Sequence, residues 1–215
     1  MERRKALKNM GLALGYSVAT PTLIHLVQSC KNERTITWAP QFFTPDQGAA
    51  LTQLVDIILP KTDTPSASEM QVDRFIDRFA FEVMEPQQQD FTKLRFSKFL
   101  EEAMTRSEKK EVTQLKAQDL EKVLQKALEV DKQREAENFE VIHSYNEAIE
   151  KGVPIDIDDE ILRFSFASDV RGLTIWGYKT SEFIGEKVLA YLPVPGQYVP
   201  CGNLEELTGG KAWSL

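Results

Sequence analysis

Histidine and cysteine are nearly absent from this 215-residue chain, which has two of each. Two cysteines cannot build a disulfide framework, a cysteine-based zinc site or an iron–sulfur centre. Two histidines leave little material for imidazole acid–base chemistry or metal ligation. Positive charge is also short: 26 Lys and Arg face 33 Asp and Glu, for a net charge of −7. Such a chain lacks the clustered cations that a nucleic-acid partner requires. Missing too are the glycine-rich dinucleotide and phosphate loops, the Gly-x-Ser-x-Gly nucleophile elbow and the Cys-x-x-Cys-His haem attachment. These absences disfavour most catalytic classes. What remains is 42% hydrophobic, ordinary for a globular protein and enough for a sizeable core.

The first 29 residues read as an address. Arg3, Arg4, Lys5 and Lys8 precede a mostly apolar stretch from Met10 to Val27, which ends at Ser29-Cys30 before polar Lys31-Asn32. A basic region, an apolar region and a small residue before a cut form the plan of an export signal. A retained membrane anchor is the competing reading, though Pro21, His25 and Gln28 dilute the stretch. Arg3-Arg4 with Leu7 and Lys8 resembles a twin-arginine signal, with Glu2 where Ser or Thr is usual. Val27-Gln28-Ser29-Cys30 resembles a bacterial lipobox, with Cys30 as the lipidated residue. The expectation is a lipid-anchored envelope protein, exported folded to the periplasmic side and cleaved before Cys30. The mature chain would keep one histidine, His143, and one unmodified cysteine, Cys201.

After a tether over residues 30–43, the segment 44–215 predicts a single all-α domain. Thr44-Pro45-Asp46-Gln47 is a helix start, and Leu51, Leu54, Val55 and Ile58 follow at helical spacing until Pro60. A turn-rich loop spans 60–68. A second helix is expected over Val72–Met84, with Val72, Phe75, Ile76, Phe79 and Val83 on one face. A third follows Pro86 with Phe91, Leu94, Phe99, Leu100 and Ala103 as its stripe. Residues 117–150 read as one helix or two, with charged residues on a solvated face. Asp158 or Asp159 starts the next helix, which runs towards Trp176, and Ser181 is expected to cap a last one. The Pro- and Gly-rich tail beyond Leu192 is irregular yet apolar, so it should pack on this domain or on a partner.

Isolated chemical candidates read as structural. His143 lies in a helical stretch with no visible partner constellation. Cys201 has nothing nearby to activate it and reads as packed or inert. The acids Asp156, Asp158, Asp159 and Glu160 lack calcium-loop spacing and suit a helix start. Trp38, Trp176 and Trp213 are spread out and read as packing residues.

Two segments carry more turn and aromatic detail than packing requires. One holds Pro60, Thr62, Asp63, Thr64 and Pro65; the other holds Gly177, Tyr178, Ser181 and Glu182, then Tyr191, Pro195, Gly196 and Tyr198. On these motifs the chain resembles the gluconate 2-dehydrogenase small-subunit family (subunit 3), from about Phe42 to Cys201. Ser66 stands where that family often has Gly. The resemblance implies a non-catalytic accessory subunit that binds no cofactor itself and assists export, assembly or stability of a partner. That partner would be a flavin-dependent (FAD) oxidoreductase of the glucose–methanol–choline type, acting on sugars or sugar acids. It would pass electrons to a cytochrome c subunit or a membrane acceptor. The thirteen motif positions become candidate partner-contact or fold-defining residues. The alternative is a stand-alone helical envelope lipoprotein acting as a scaffold or ligand-binding module.

Overall fold

In the computed structural model, the described residues are 38–153, 155–194, 196, 199 and 201–214. Helix α1 spans Pro45–Ile58, α2 Val72–Glu82, α3 Pro86–Arg106, α4 Ala117–Leu128, α5 Lys132–Glu150, α6 Asp159–Lys179 and the short α7 Leu204–Thr208. A 3-10 turn (Val112–Gln114) precedes α4, and one π-helical turn (Ile184–Val188) follows α6. Among the described residues there is no strand beyond an isolated bridge between Ala190 and Trp213. The all-α expectation holds. No helix among the described residues is long and apolar enough to cross a membrane.

Local signals set several boundaries. The Thr44 hydroxyl accepts from Gln47 N–H and the Gln47 side chain accepts from Thr44 N–H, closing a capping box in front of Pro45. The stretch 117–150 is two helices. Asp131 caps the second by accepting from Arg134 N–H at 2.8 Å. Asp158 caps α6, accepting from Glu160 N–H, while Asp159 pairs with Lys98 at 3.2 Å.

Helix α6 is the axis of the bundle and touches each of α1 to α5. It therefore buries residues on several sides, from Leu162 and Phe164 to Val170, Thr174 and Gly177. The main core joins Leu51, Leu54 and Val55 of α1 to Phe96 and Phe99 of α3, Leu120 and Val123 of α4, and Phe166 of α6. Phe96 stacks on Phe166 with centroids 4.4 Å apart. A satellite cluster of Phe91, Tyr145 and Leu162 holds α5 in place.

Three helical expectations need correction. On α2, Val83 is exposed and Phe75 and Phe79 are only partly buried; the buried face instead includes Asp73 and Asp77. On α3, Leu94 is exposed, whereas Thr92, Arg95 and Phe96 are buried between α3 and its neighbours. A short helical stretch does follow Ser181 over 182–188, and the Ser181 carbonyl accepts its first bond from Gly185 N–H at 2.8 Å. The Ser181 hydroxyl does not cap it: it turns back and donates to the Tyr178 carbonyl at 2.7 Å, closing the end of α6. Cys201 is exposed rather than packed.

Candidate functional site

The loop after α1 is held by side-chain acceptors. The Asp56 carboxylate accepts from Ser68 N–H at 2.8 Å and Ser68 Oγ at 2.7 Å. Ser66 N–H donates to Glu69 Oε2 at 2.9 Å, and Glu69 N–H points back at Ser66 Oγ at 3.4 Å. This reciprocal Ser-x-x-Glu pair starts the turn as a capping box starts a helix, so Ser66 suits its place. Lys61 reaches Glu69 at 2.6 Å. That ammonium, with the Ser66 N–H, holds the Glu69 carboxyl below the usual glutamate range. A depressed folded-state pKa stabilises the loop above the unfolded value, and the contribution fades as pH falls through the folded one. Both side chains are largely solvated, so the effect is small.

The structure brings the two motif segments together. The Tyr178 hydroxyl, at the end of α6, donates to the Pro65 carbonyl at 2.7 Å and lies 3.0 Å from Thr64 Oγ1. Thr64 is joined to Thr62, whose N–H donates to the Thr64 carbonyl at 3.0 Å. One turn away, Gly177 lets α6 approach α2: a Cβ there would stand 2.6 Å from Phe75 Cδ1 and 3.3 Å from Val72 Cγ1. Trp176 then packs edge-on against Phe75 and Phe79, at 5.1 and 5.7 Å between centroids, while staying exposed itself. Gly177, Tyr178, Thr62, Thr64 and Pro65 thus form a clasp between the first loop and the last long helix. Ser181 closes the same helix end. Pro60, Asp63 and Glu182 are exposed around it.

Removing only the hydroxyl, as in Tyr178→Phe, leaves the Pro65 carbonyl without its donor. The expected loss is roughly 1 kcal/mol, read as a lower thermal midpoint and faster proteolytic nicking of the 60–68 loop.

The remaining motif positions do not join the clasp. Tyr191 and Gly196 are exposed on an excursion that leaves and returns at Ala190, whose N–H donates to the Ala212 carbonyl and whose carbonyl accepts from Ser214 N–H, both at 2.9 Å. These two bonds tie the described part of the tail to this domain at its base. Leu192, Val194, Val199, Leu204, Leu207 and Trp213 remain exposed. Pro195 and Tyr198 lie outside the described residues, as do Arg3, Arg4, Leu7 and Cys30.

Sequence reasoning missed three buried or half-buried acids. Asp77 accepts from three backbone N–H groups, Gln41, Phe42 and Phe43, at 2.7, 3.1 and 2.9 Å. Asp73 accepts from Trp38 Nε1 at 3.0 Å and Thr52 Oγ1 at 2.7 Å. Asp56 holds Ser68, as above. The available signal was an acid on an apolar helix face, since Asp73 and Asp77 share the face of Ile76 and Ala80. His143 is on the surface beside Glu147 at 3.0 Å. No cluster of three potential metal ligands occurs among the described residues.

A family model described as Gluconate 2-dehydrogenase subunit 3 matches residues 45–196, more than half of the chain. That span begins at the first residue of α1 and includes the whole clasp. No curated protein and no solved structure matches.

Proposed function

Because the chain belongs to the gluconate 2-dehydrogenase subunit 3 family, and so is an accessory subunit of a dehydrogenase complex, we propose that it delivers and holds a flavin-dependent catalytic partner on the periplasmic side of the membrane. The partner is a glucose–methanol–choline type oxidoreductase carrying FAD and acting on sugars or sugar acids, with a cytochrome c subunit as electron acceptor. This chain supplies the twin-arginine signal at Arg3 and Arg4, the lipid anchor at Cys30 and a docking surface.

The observation that carries this reading is where apolar surface is left uncovered. Of seventeen exposed large hydrophobic residues among those described, ten fall between Ile175 and Trp213. A segment with that much uncovered apolar surface suits a protein that is half of an assembly. The clasp sits at the start of this segment, so its polar bonds set where α6 ends and the excursion begins. Thus Gly177, Tyr178 and Ser181 position the surface, while Trp176, Phe183, Tyr191, Leu192 and Val194 offer side chains to the partner.

The twin-arginine route carries folded cargo, which suits a flavin-loaded passenger without a signal of its own. Replacing Arg3 and Arg4 with Lys is expected to strand the flavoprotein in the cytoplasm, measured as its periplasmic fraction. Normal periplasmic levels of a flavoprotein that has no signal of its own would sink the export role.

A further inference from the structure

Helix α2 carries an apolar stripe that the bundle covers only in part. Phe75, Phe79 and Val83 follow one another at four-residue intervals and so share one face. Phe75 and Phe79 are half-buried against Trp176, and Val83 is 61% exposed. All three line an open groove along the helix, with Arg74, Arg78 and Glu82 on its polar side. Arg78 pairs with Glu82 at 2.9 Å, and both side chains are largely solvated, so the pair opens at little cost. An apolar strip beside two guanidinium groups, with an indole at its border, is the composition of a helix that lies in a membrane interface.

The point where the chain enters the bundle decides what can cover this face. Trp38 donates to Asp73, and the N–H groups of Gln41, Phe42 and Phe43 donate to Asp77, so the entering segment is pinned to α2 itself. Seven residues separate Trp38 from Cys30, and even fully extended those eight steps span at most about 29 Å. Helix α2 has 11 residues and is only about 16 Å long. A lipid at Cys30 therefore keeps the whole face within reach of the headgroups. Short linkers give effective concentrations on the order of millimolar, so a contact too weak to recruit a free protein is still made. The net charge of −7 opposes this only at a distance, since salt screens it beyond about 8 Å. A protein partner would have to strip water from Arg78 and Glu82, whereas the headgroup region keeps both wet.

We propose that this face of α2 is a second membrane contact, lying on anionic phospholipid with Phe79 and Val83 at the boundary of headgroups and acyl chains and Arg78 among the phosphates. The inference rests on the lipid anchor at Cys30 and adds an orientation to it: α2 faces the bilayer. Trp176 marks the border between this face and the surface offered to the partner.

The test uses the lipidated full chain with Cys201→Ser and Val83→Cys, carrying one nitroxide at position 83, in vesicles of phosphatidylethanolamine and phosphatidylglycerol. Both substituted positions are exposed, so folding tolerates them. Flotation with the vesicles reports the anchor. Collision of the nitroxide with oxygen, against collision with a water-soluble nickel complex, reports whether position 83 lies in lipid. The expected result is a chain that floats and a nitroxide more accessible to oxygen than to nickel. Arg78→Gln is expected to lower the ratio of lipid-facing to water-facing label about fivefold, the factor one basic residue carries near an anionic surface. Replacing phosphatidylglycerol with phosphatidylcholine is expected to act in the same direction. A chain that floats with its nitroxide open to nickel overturns the face and spares the anchor. Lipid contact unchanged by both Arg78→Gln and phosphatidylcholine also overturns it. A chain that does not float has no anchor at Cys30, and both readings fall together.

Discussion

Asp77→Ala is expected to lower the unfolding free energy by about 3 kcal/mol or more, because it strips three backbone donors of their acceptor at once. Asp77 is 1% exposed, and its two oxygens accept from the N–H groups of Gln41, Phe42 and Phe43. Alanine leaves three donors to find other partners. Gln41 is exposed and water can serve it, but Phe43 is buried and its N–H cannot be rescued in place. The damage extends into packing. Phe43 meets Phe96 edge-on at 5.2 Å between centroids, so releasing residues 41–43 also uncovers the end of the main core. Asp77→Asn keeps one acceptor oxygen but aims an NH2 at a backbone donor, and an intermediate loss is expected. Denaturant unfolding followed by circular dichroism measures both. Equal stability of Asp77→Ala and the parent chain would show that residues 38–43 are not pinned to α2. The functional consequence is mechanical, because this segment joins the N-terminal region to the bundle.

Gly177→Leu is the second large effect. The glycine has no unusual backbone requirement; its role is space. A Cβ alone would stand 2.6 Å from Phe75 Cδ1, closer than carbon atoms pack, and a leucine adds three more carbons against Phe75 and Val72. Overpacking of this kind costs about 1–3 kcal/mol, and more where backbone must shift. Pushing α6 from α2 also draws Tyr178 away from Pro65 and Thr64, so the clasp should open with it. Gly177→Ala is expected to cost less, since the Phe75 ring is partly exposed and can turn aside. Paired with Tyr178→Phe, the two changes should be less than additive, because they break one contact region. Full additivity in a double-mutant cycle would mean that the clasp and the helix contact are independent.

The all-α class and the helix starts were legible because they rest on local chemistry. Thr44-Pro45-Asp46-Gln47 signals a capped helix whatever surrounds it, and Asp158 likewise. The division of 117–150 was not legible. Asp131 is a good cap, but its neighbours Glu129 and Lys132 suit a continuous helix equally well. The stripes on α2 and α3 held at Val72, Ile76, Phe91, Phe99, Leu100 and Ala103 but missed at Val83 and Leu94, for a tertiary reason. Helix α3 packs against both α4 and α6, so its buried face is wide enough to take Thr92, Arg95 and Phe96, while Leu94 points outward. Periodicity locates one stripe and says nothing of a second contact. Asp73 and Asp77 were invisible as anchors because most of their partners come from residues 38–43, a segment with no regular structure. The motif positions were found through resemblance, and the structure separates them. Thr62, Thr64, Pro65, Gly177 and Tyr178 make one clasp, with Ser181 closing the same helix end, whereas Tyr191 and Gly196 lie on the exposed excursion.

That separation gives the docking proposal a sharp form: clasp residues fix the surface, and the apolar residues from Trp176 onward meet the partner. The most direct measurement is purification of the tagged full chain from its own membranes, scored for flavin absorbance and sugar-dependent dye reduction. The expected result is a co-purifying flavoprotein with dehydrogenase activity, lost when Trp176 and Leu192 are both replaced by Glu, and no activity in the chain alone. Dye reduction by the isolated chain, or purification without any flavoprotein, would contradict the account.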